Sequence, residues 1–475
     1  MKTCFLTKGK YKLALSLATL MATGFCSVNA SDSLAEALKA STMSGTLFSY
    51  YDMDSTEYFP PASATNRIRQ DIGGIGAELR FLTGSFNGFR VGLTAQGLAN
   101  FAPSEAAKDY FGYDWNSEGT ALSEAYLAYE HNYIDLKVGR QYYNSKYTGL
   151  VPPLVATNTD VGYKEAFEGV STRIKLNSID TVIGLADFWK FAGRSSAVTG
   201  AASDDGAPEF KDKVIIGGFG PFAYKFDNIF NSFVTYTGIP SVSLTAAYAN
   251  VSGLEYEATK GDINFYFAAA GYKTPALFEN AVVGINAMYK GSRTNGTLQE
   301  NYDFDGNYYT GMVGLFNAYG FDFIYAYSTV SKNQMALQGI GNDCGAFTAT
   351  PIYGPFLFMS FAGMELNKLS VGYDLSNVGI KGLRVDADYY YGEQHNGSNV
   401  NAGNVLHGQK PGTRIDVEGW DTQVTYKVPT VKGLKLSAIY ETLDRKLKYT
   451  SGGSDGKTTD EELWLRVSYD FDILK

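Results

Sequence analysis

The segment 382–393 reads GLRVDADYYYGE, and it restricts the possible folds more than any other stretch. Arg384, Asp386 and Asp388 occupy every second position, and Leu383, Val385, Ala387, Tyr389 and Tyr391 fill the places between. Side chains of a strand alternate between its two faces, so this strand carries one charged row and one apolar row. A soluble sandwich can supply a wet face for the charges. A membrane barrel does so the other way round, with charges toward a wet lumen and the apolar row toward lipid. On a lipid face, an Arg or Lys at the midplane costs ~2–4 kcal/mol and an Asp less, so three charges in a row belong to the lumen.

The pattern recurs along the chain. In 122–130, Ala125, Leu127 and Tyr129 oppose Glu124, Tyr126 and Glu130. In 89–96, Phe89, Val91, Leu93 and Ala95 oppose Arg90, Thr94 and Gln96. Segments 321–328, 420–428, 434–441 and 463–471 repeat the scheme, with aromatics gathered toward segment ends as an interfacial girdle requires. Long polar connections near 54–71, 99–120, 142–165, 192–228, 253–260, 292–307, 332–365, 394–415 and 444–460 alternate with short ones near 84–86, 132, 177–178, 238–240, 274–280, 320, 377–381 and 429–432. Nine long and eight short connections predict about 18 strands with both chain ends on the short-turn side. This count places 213–228 and 356–365 in loops; other assignments of these segments give 16 or 20.

The ends set the compartment. Lys2, Lys8, Lys10 and Lys12 precede or open an apolar run over 13–25, and SVNA follows, with Val28 and Ala30 placed as a signal-peptidase site requires. Residues 1–30 are predicted to be a cleaved secretory signal, and 31–475 one barrel domain. Phe25 before Cys26 does not suit lipidation. Loss of the four lysines leaves 36 basic against 49 acidic residues, moving the net charge from −9 to −13. Such acidity argues against nucleic acid as a partner. Cys344 alone remains in the mature chain, which excludes an intrachain disulfide and a cysteine metal site. Mean hydropathy is only −0.16, yet 35 Tyr, 30 Phe and 52 Gly are present, as expected where lipid-facing and lumen-facing residues average out. In SDSLAEALKAS, Ser33 and Glu36 form a capping box, and a short helix is expected at the short-turn rim, against a frayed terminus.

Parity turns Arg80, Arg90, Arg173, Arg384 and Arg466 inward. It turns Glu78, Glu124, Glu130, Asp135, Lys137, Lys175, Asp322, Asp374, Asp386, Asp388, Asp421, Lys435, Glu441 and Asp470 the same way. Opposed charge rows would sort solutes by charge; the plainer alternative is that they solvate the lumen or pair across strands. Loop 142–165, YYNSKYTGLVPPLVATNTDVGYKE, holds Pro152, Pro153 and apolar residues ill suited to a free outer loop. Folded inward it would form a constriction carrying Lys146, Asp160 and Lys164; otherwise it is an exposed loop. DFDGN (303–307) offers Asp303, Asp305 and Asn307 as a weak Ca²⁺ candidate without the later bidentate Glu, and no cofactor is implied.

SLAEALK (33–39), LSEAYLAYEH (122–131), LKVGRQ (136–141) and AFEGV (166–170) resemble OprD-like Opr-family outer-membrane porins, especially the campylobacterial branch, most clearly over 33–190. The resemblance implies an 18-stranded porin of a Gram-negative outer membrane, embedded in its lipid, whose third outer loop narrows the channel and whose wall bears a basic ladder. It implies passage of small hydrophilic solutes or ions, often amino acids, peptides or carboxylates, and it is compatible with a homotrimer. Arg140, inside LKVGRQ, is carried over as a pore residue, although strict parity sends it outward, so it must sit at the rim or past a kink at Gly139. Two features depart from the family: the chain runs past Phe471 to DILK, and its acidity puts a carboxylate preference in doubt. The rival classes are an adhesin and a barrel enzyme; for the latter, His131, His395 and His407 lack a Ser partner at a readable spacing. A hatch-gated channel for hydrophobic solutes would want an apolar N-terminus, and this one is short and polar.

Overall fold

Neighbouring segments of this chain alternate in polarity and are joined by turn residues, which dictates hairpin after hairpin. The computed structural model describes residues 33–59, 67–101, 104, 106–107, 111, 118–144, 154–157, 162–193, 207–214, 223–302, 304–333, 335, 340–341, 347–349, 351, 362–394, 413–449 and 456–474. The expected signal segment lies outside them.

The wall comprises 18 antiparallel strands. They are β1 (Thr42–Phe59), β2 (Arg67–Leu82), β3 (Phe89–Asn100), β4 (Gly119–His131), β5 (Ile134–Gln141) and β6 (Ala166–Leu176). Next come β7 (Thr181–Ala192), β8 (Asn228–Tyr236), β9 (Val242–Tyr256), β10 (Thr259–Lys273), β11 (Val282–Thr294) and β12 (Asn307–Ala318). The last six are β13 (Phe321–Val330), β14 (Met364–Asp374), β15 (Leu383–Gln394), β16 (Thr413–Lys427), β17 (Leu434–Tyr449) and β18 (Gly456–Leu474). Each pairs with its sequence neighbour. β18 returns to β1, with Phe59 opposite Lys457 and Gly45 opposite Phe471, so the sheet closes and has no free edge. β18 runs through Leu474, with a register shift against β1 between Met43 and Ser44.

One face of the wall is apolar and open. Leu47, Ile75, Leu79, Val91, Leu93, Leu127, Ile285, Val313, Phe323, Leu369, Trp420 and Leu465 are all exposed there. A belt this continuous needs an apolar phase to cover it, so the strands themselves cross the membrane. No described helix is long and apolar enough to do so.

Short turns follow their local chemistry. Asn87 and Gly88 both have positive φ (50° and 85°) in the tight β2–β3 turn, as a type I′ hairpin demands. The first helix, α1 (Leu34–Lys39), is capped by the Ser33 hydroxyl, which accepts from the Glu36 N–H at 3.2 Å. Ala37 of this helix is buried, and its carbonyl accepts from the Gly84 N–H at 3.0 Å, tying the helix to the β2–β3 turn.

Three expectations change. The long connection at 54–71 shrinks to 60–66, because the strand pairing of β1 and β2 continues well above the apolar belt. The connection expected over 253–260 is a two-residue turn: β9 ends at Tyr256 and β10 begins at Thr259, with Glu257 at φ 51° making the reversal. A helix, α2 (Gly296–Tyr302), lies inside the connection 292–307; Leu298 anchors it in the buried interior.

Candidate functional site

The interior is where the two faces of each strand become functionally distinct. On β6–β11 the inner face is mostly apolar, with Lys290 and Asn231 among its few buried polar residues. Phe167, Phe188, Ile229, Phe233, Val251 and Phe265 are buried there as one cluster. On β14–β18 and β1–β4 the inner face adds charges to buried apolar positions such as Leu366, Val417, Tyr50 and Trp464. Lys368, Asp388, Asp421, Glu441, Glu462, Arg466, Asp54, Glu78, Arg80 and Glu124 oppose the outward rows of those strands.

The described parts of loop 142–165 (142–144, 154–157 and 162–165) lie inward and touch both halves. Tyr143 turns to the apolar half: its ring meets Phe188 at 5.0 Å and 69°, and its hydroxyl accepts from Asn231 Nδ2 at 2.8 Å. Leu154 and Val155 join the same cluster. Tyr142, one residue earlier, turns to the charged half. Its hydroxyl donates to Glu78 Oε2 at 3.0 Å, and its N–H donates to Glu124 Oε1 at 3.0 Å. At the far end of the loop, Lys164 Nζ lies 2.9 Å from the Glu78 carboxylate. The backbone of Lys164 is held by Gln96, whose side chain accepts from the N–H at 3.0 Å and donates to the carbonyl at 2.8 Å. Burial and the adjacent Glu78 charge push the Tyr142 phenol far above its ordinary value, so it stays a donor. Burial likewise raises Tyr163, near the end of the loop, to about 12.

A second loop meets the first. Val155 and Ala156 pair in parallel with Ile340 and Gly341. Farther along this second loop, the Thr348 hydroxyl lies 3.0 Å from the Tyr308 hydroxyl and donates to Ser328 Oγ at 2.7 Å, and the Ala349 carbonyl accepts from Lys368 Nζ at 2.9 Å. The interior is thus narrowed by two hydrogen-bonded loops. The sequence analysis placed 332–365 among the outer connections; two paired residues give no periodic signal.

Open space remains along the charged half. A cavity of about 770 Å³ is lined by Thr46, Glu78, Arg80, Lys164, Lys432 and Asp470 among others. Another of about 230 Å³ shares Thr46, Glu78 and Lys164 and adds Gln96, Lys435 and Arg466. Of the expected site residues, Arg80, Lys164 and Arg466 are therefore brought to one space. Arg80 forms an ion pair with Glu78, and the Arg466 guanidinium stacks on Trp464 at 4.1 Å.

The others are dispersed. Arg90 lies 3.4 Å from Glu130 on the wall. Arg173 donates to the Asn144 carbonyl at the root of the inward loop. Arg384 is held by Asp322 at 2.7 Å and Asp386 at 2.5 Å, beside the short turn before β15. Asp388 takes Lys368 at 2.8 Å and the Tyr390 hydroxyl at 3.0 Å. Lys146, Asp160 and Asp303 fall outside the described residues.

Arg140 is a correction. Gln141, the next residue, points inward and accepts from Ser171 at 2.5 Å, so Arg140 points outward. There it pairs with Glu168 at 3.1 Å and covers the Phe210 ring at 4.5 Å. Its place is the rim rather than the pore. Gly139 is required beside it: φ is 122°, and a Cβ would stand 2.4 Å from the Ala125 carbonyl oxygen. Of the Ca²⁺ candidates, the two described residues, Asp305 and Asn307, are engaged by protein groups. Asp305 accepts from the Thr294 N–H at 2.7 Å and from Gln299 Nε2 at 3.0 Å, and Asn307 Oδ1 accepts from Arg293 and Tyr289, each at 2.9 Å. Among the described residues no group of three or more His, Cys, Asp or Glu is placed to hold a metal ion.

A closed barrel with an apolar exterior and a lumen narrowed by inward loops defines the class: a membrane β-barrel with a one-sided, charged interior. No family model and no curated protein matches the chain. Solved structures do. Pseudomonas aeruginosa OpdQ aligns at 14% identity and TM-score 0.64 over 92% of this chain and 100% of its own. Pseudomonas aeruginosa OccK8 (OprE) aligns at 15% identity and TM-score 0.66 over 92% and 100%. A variant of OccD1 (OprD) aligns at 13% identity and TM-score 0.64 over 92% and 97%. The chain has the fold of these OprD/Occ structures.

Proposed function

We propose that the chain is a passive diffusion channel, a porin of OprD type, for small hydrophilic solutes and ions across the outer membrane of a Gram-negative bacterium. The observation that carries this reading is the lumen. Cavities remain along its charged half, and two loops bonded to both halves narrow it. Such a lumen favours polar solutes of limited width and sorts them by charge. The fold shared with OprD/Occ structures supports the reading, as do the signal-like residues 1–30. Selectivity is assigned to Arg80, Lys164 and Arg466, set against Glu78 and the acids of β15–β18. No residue is given a catalytic role.

Purified protein in a planar lipid bilayer under a salt gradient tests this. Discrete conductance steps with a cation-favouring reversal potential are expected, because acids outnumber bases on the charged wall. An anion-favouring potential would put the basic residues in charge and make carboxylates the solutes to try. Folded protein that gives no steps sinks the channel reading.

A further inference from the structure

One carboxylate holds both described ends of the inward loop. Glu78 lies in mid-β2, and its side chain is only 3% exposed although it faces the lumen. It receives the Tyr142 hydroxyl from the first residue of the inward loop and the Lys164 ammonium from near the last. The two legs of the loop, 22 residues apart in sequence, thus close on a single side chain. Its cross-strand partners extend the grip. Gln96, directly opposite Glu78 on β3, clamps the Lys164 backbone by both its N–H and its carbonyl. Glu124 on β4 takes the Tyr142 N–H, and Thr94 Oγ1 holds Glu124 at 2.6 Å.

We infer that Glu78 is a positioning residue that fastens both legs of loop 142–165 to the wall and so sets the width and the charge of the constriction. The inference rests on the channel reading above. Charge-assisted hydrogen bonds to a buried carboxylate are the strong ones, and removing their common acceptor strands every donor at once. With Glu78 in place, Lys164 and Arg80 are partly neutralised. Without it, both stand uncompensated in the lumen and the loop loses two anchors.

Width and charge can be separated. Glu78→Met and Glu78→Ala release the legs and remove the negative charge. The double variant Tyr142→Phe with Lys164→Met releases the legs but leaves the negative charge. Single-channel conductance is expected to rise about 1.5- to 2-fold in both sets, with more open-state noise. Reversal potentials should move in opposite directions: toward anions for the Glu78 variants, toward cations for the double variant. General destabilisation would not produce that sign reversal. Folding is checked by heat-modifiable gel mobility, and if a Glu78 variant fails to fold, the double variant carries the test. Folded variants with wild-type conductance and noise overturn the inference. Wild-type protein that does not conduct overturns the channel reading instead.

Discussion

The two halves of the barrel interior are made from the same kind of strand and do opposite work. On β6–β11 the inward positions hold Phe167, Phe188, Phe233 and Phe265, and the inward loop seals them with Tyr143, Leu154 and Val155. This half behaves like the core of a soluble protein. On β14–β18 and β1–β4 the inward positions also hold charges, and among the described residues the loop bonds to these through Tyr142 and Lys164. The difference shows how a wide barrel can carry a narrow path. The larger apolar cluster is centred on one side, and the cavities beside Glu78 and Lys164 lie on the other.

The comparison breaks most readily in the packed half. Phe188 is fully buried against Phe167 at 4.7 Å. Phe188→Ala should cost about 3–5 kcal/mol, by lost transfer energy and the cavity left behind. Lys435→Ala, on the exposed charged half, should stay within about 0.5 kcal/mol. The midpoint of heat-modifiable gel mobility reads both, and equal shifts would dissolve the distinction between the halves.

A smaller effect separates two arginines within the charged half. Arg466 sits mid-strand in β18, stacked on Trp464 and lining the cavity beside Lys164. Arg384 sits at the mouth, satisfied by two acids. Arg466→Gln should move the reversal potential toward cations and keep that shift in 1 M salt. Arg384→Gln should shift it in 0.1 M salt, where the Debye length is about 10 Å, and lose the shift at 1 M, where it is about 3 Å. A shift from Arg384→Gln that survives high salt would place that residue in the narrow zone.

Much of this was legible in the sequence because alternation in a barrel is a one-residue rule. Parity alone put Glu78, Arg80, Arg466 and the acids of 384–388 on the inner face, and it sent Arg140 outward even while family likeness made it a pore residue. Parity cannot show where it slips. The β3–β4 register shifts beside Thr94 and Ala95, which is why Leu122 and Glu124 face opposite ways despite even spacing. Nor does parity rank inward residues by what covers them. Phe188 and Glu78 are equally inward, and only the path of loop 142–165 decides that one is core and the other an anchor. The second inward loop leaves no sequence signal for the same reason: besides a two-residue strand pairing, its attachments are single bonds at Thr348 and Ala349, scattered along a segment without period.

The smallest expected effect probes a feature that pairing register alone reveals. Asp388, Asp421, Glu441, Glu462 and Asp54 are successive cross-strand partners from β15 through β18 to β1, a row of five carboxylates running around the charged wall. Like charges placed directly opposite destabilise a sheet by up to about 1 kcal/mol per pair. Lys368 offsets the row at its Asp388 end, and the Tyr390 hydroxyl donates to Asp421 at 2.5 Å. Asp421→Asn keeps an acceptor for Tyr390 and removes one charge with two acidic neighbours. It should raise the thermal midpoint by an amount equivalent to about 0.5–1 kcal/mol. Lys368→Gln, which deprives the row of its cation, should lower it. The apolar half gives the control, since Asn231→Asp introduces a charge where Tyr143 and Phe188 surround the site and should be far worse than any change within the row. If Asp421→Asn lowers the midpoint, the row is held by favourable contacts rather than tolerated, and the charged half is a core in its own right.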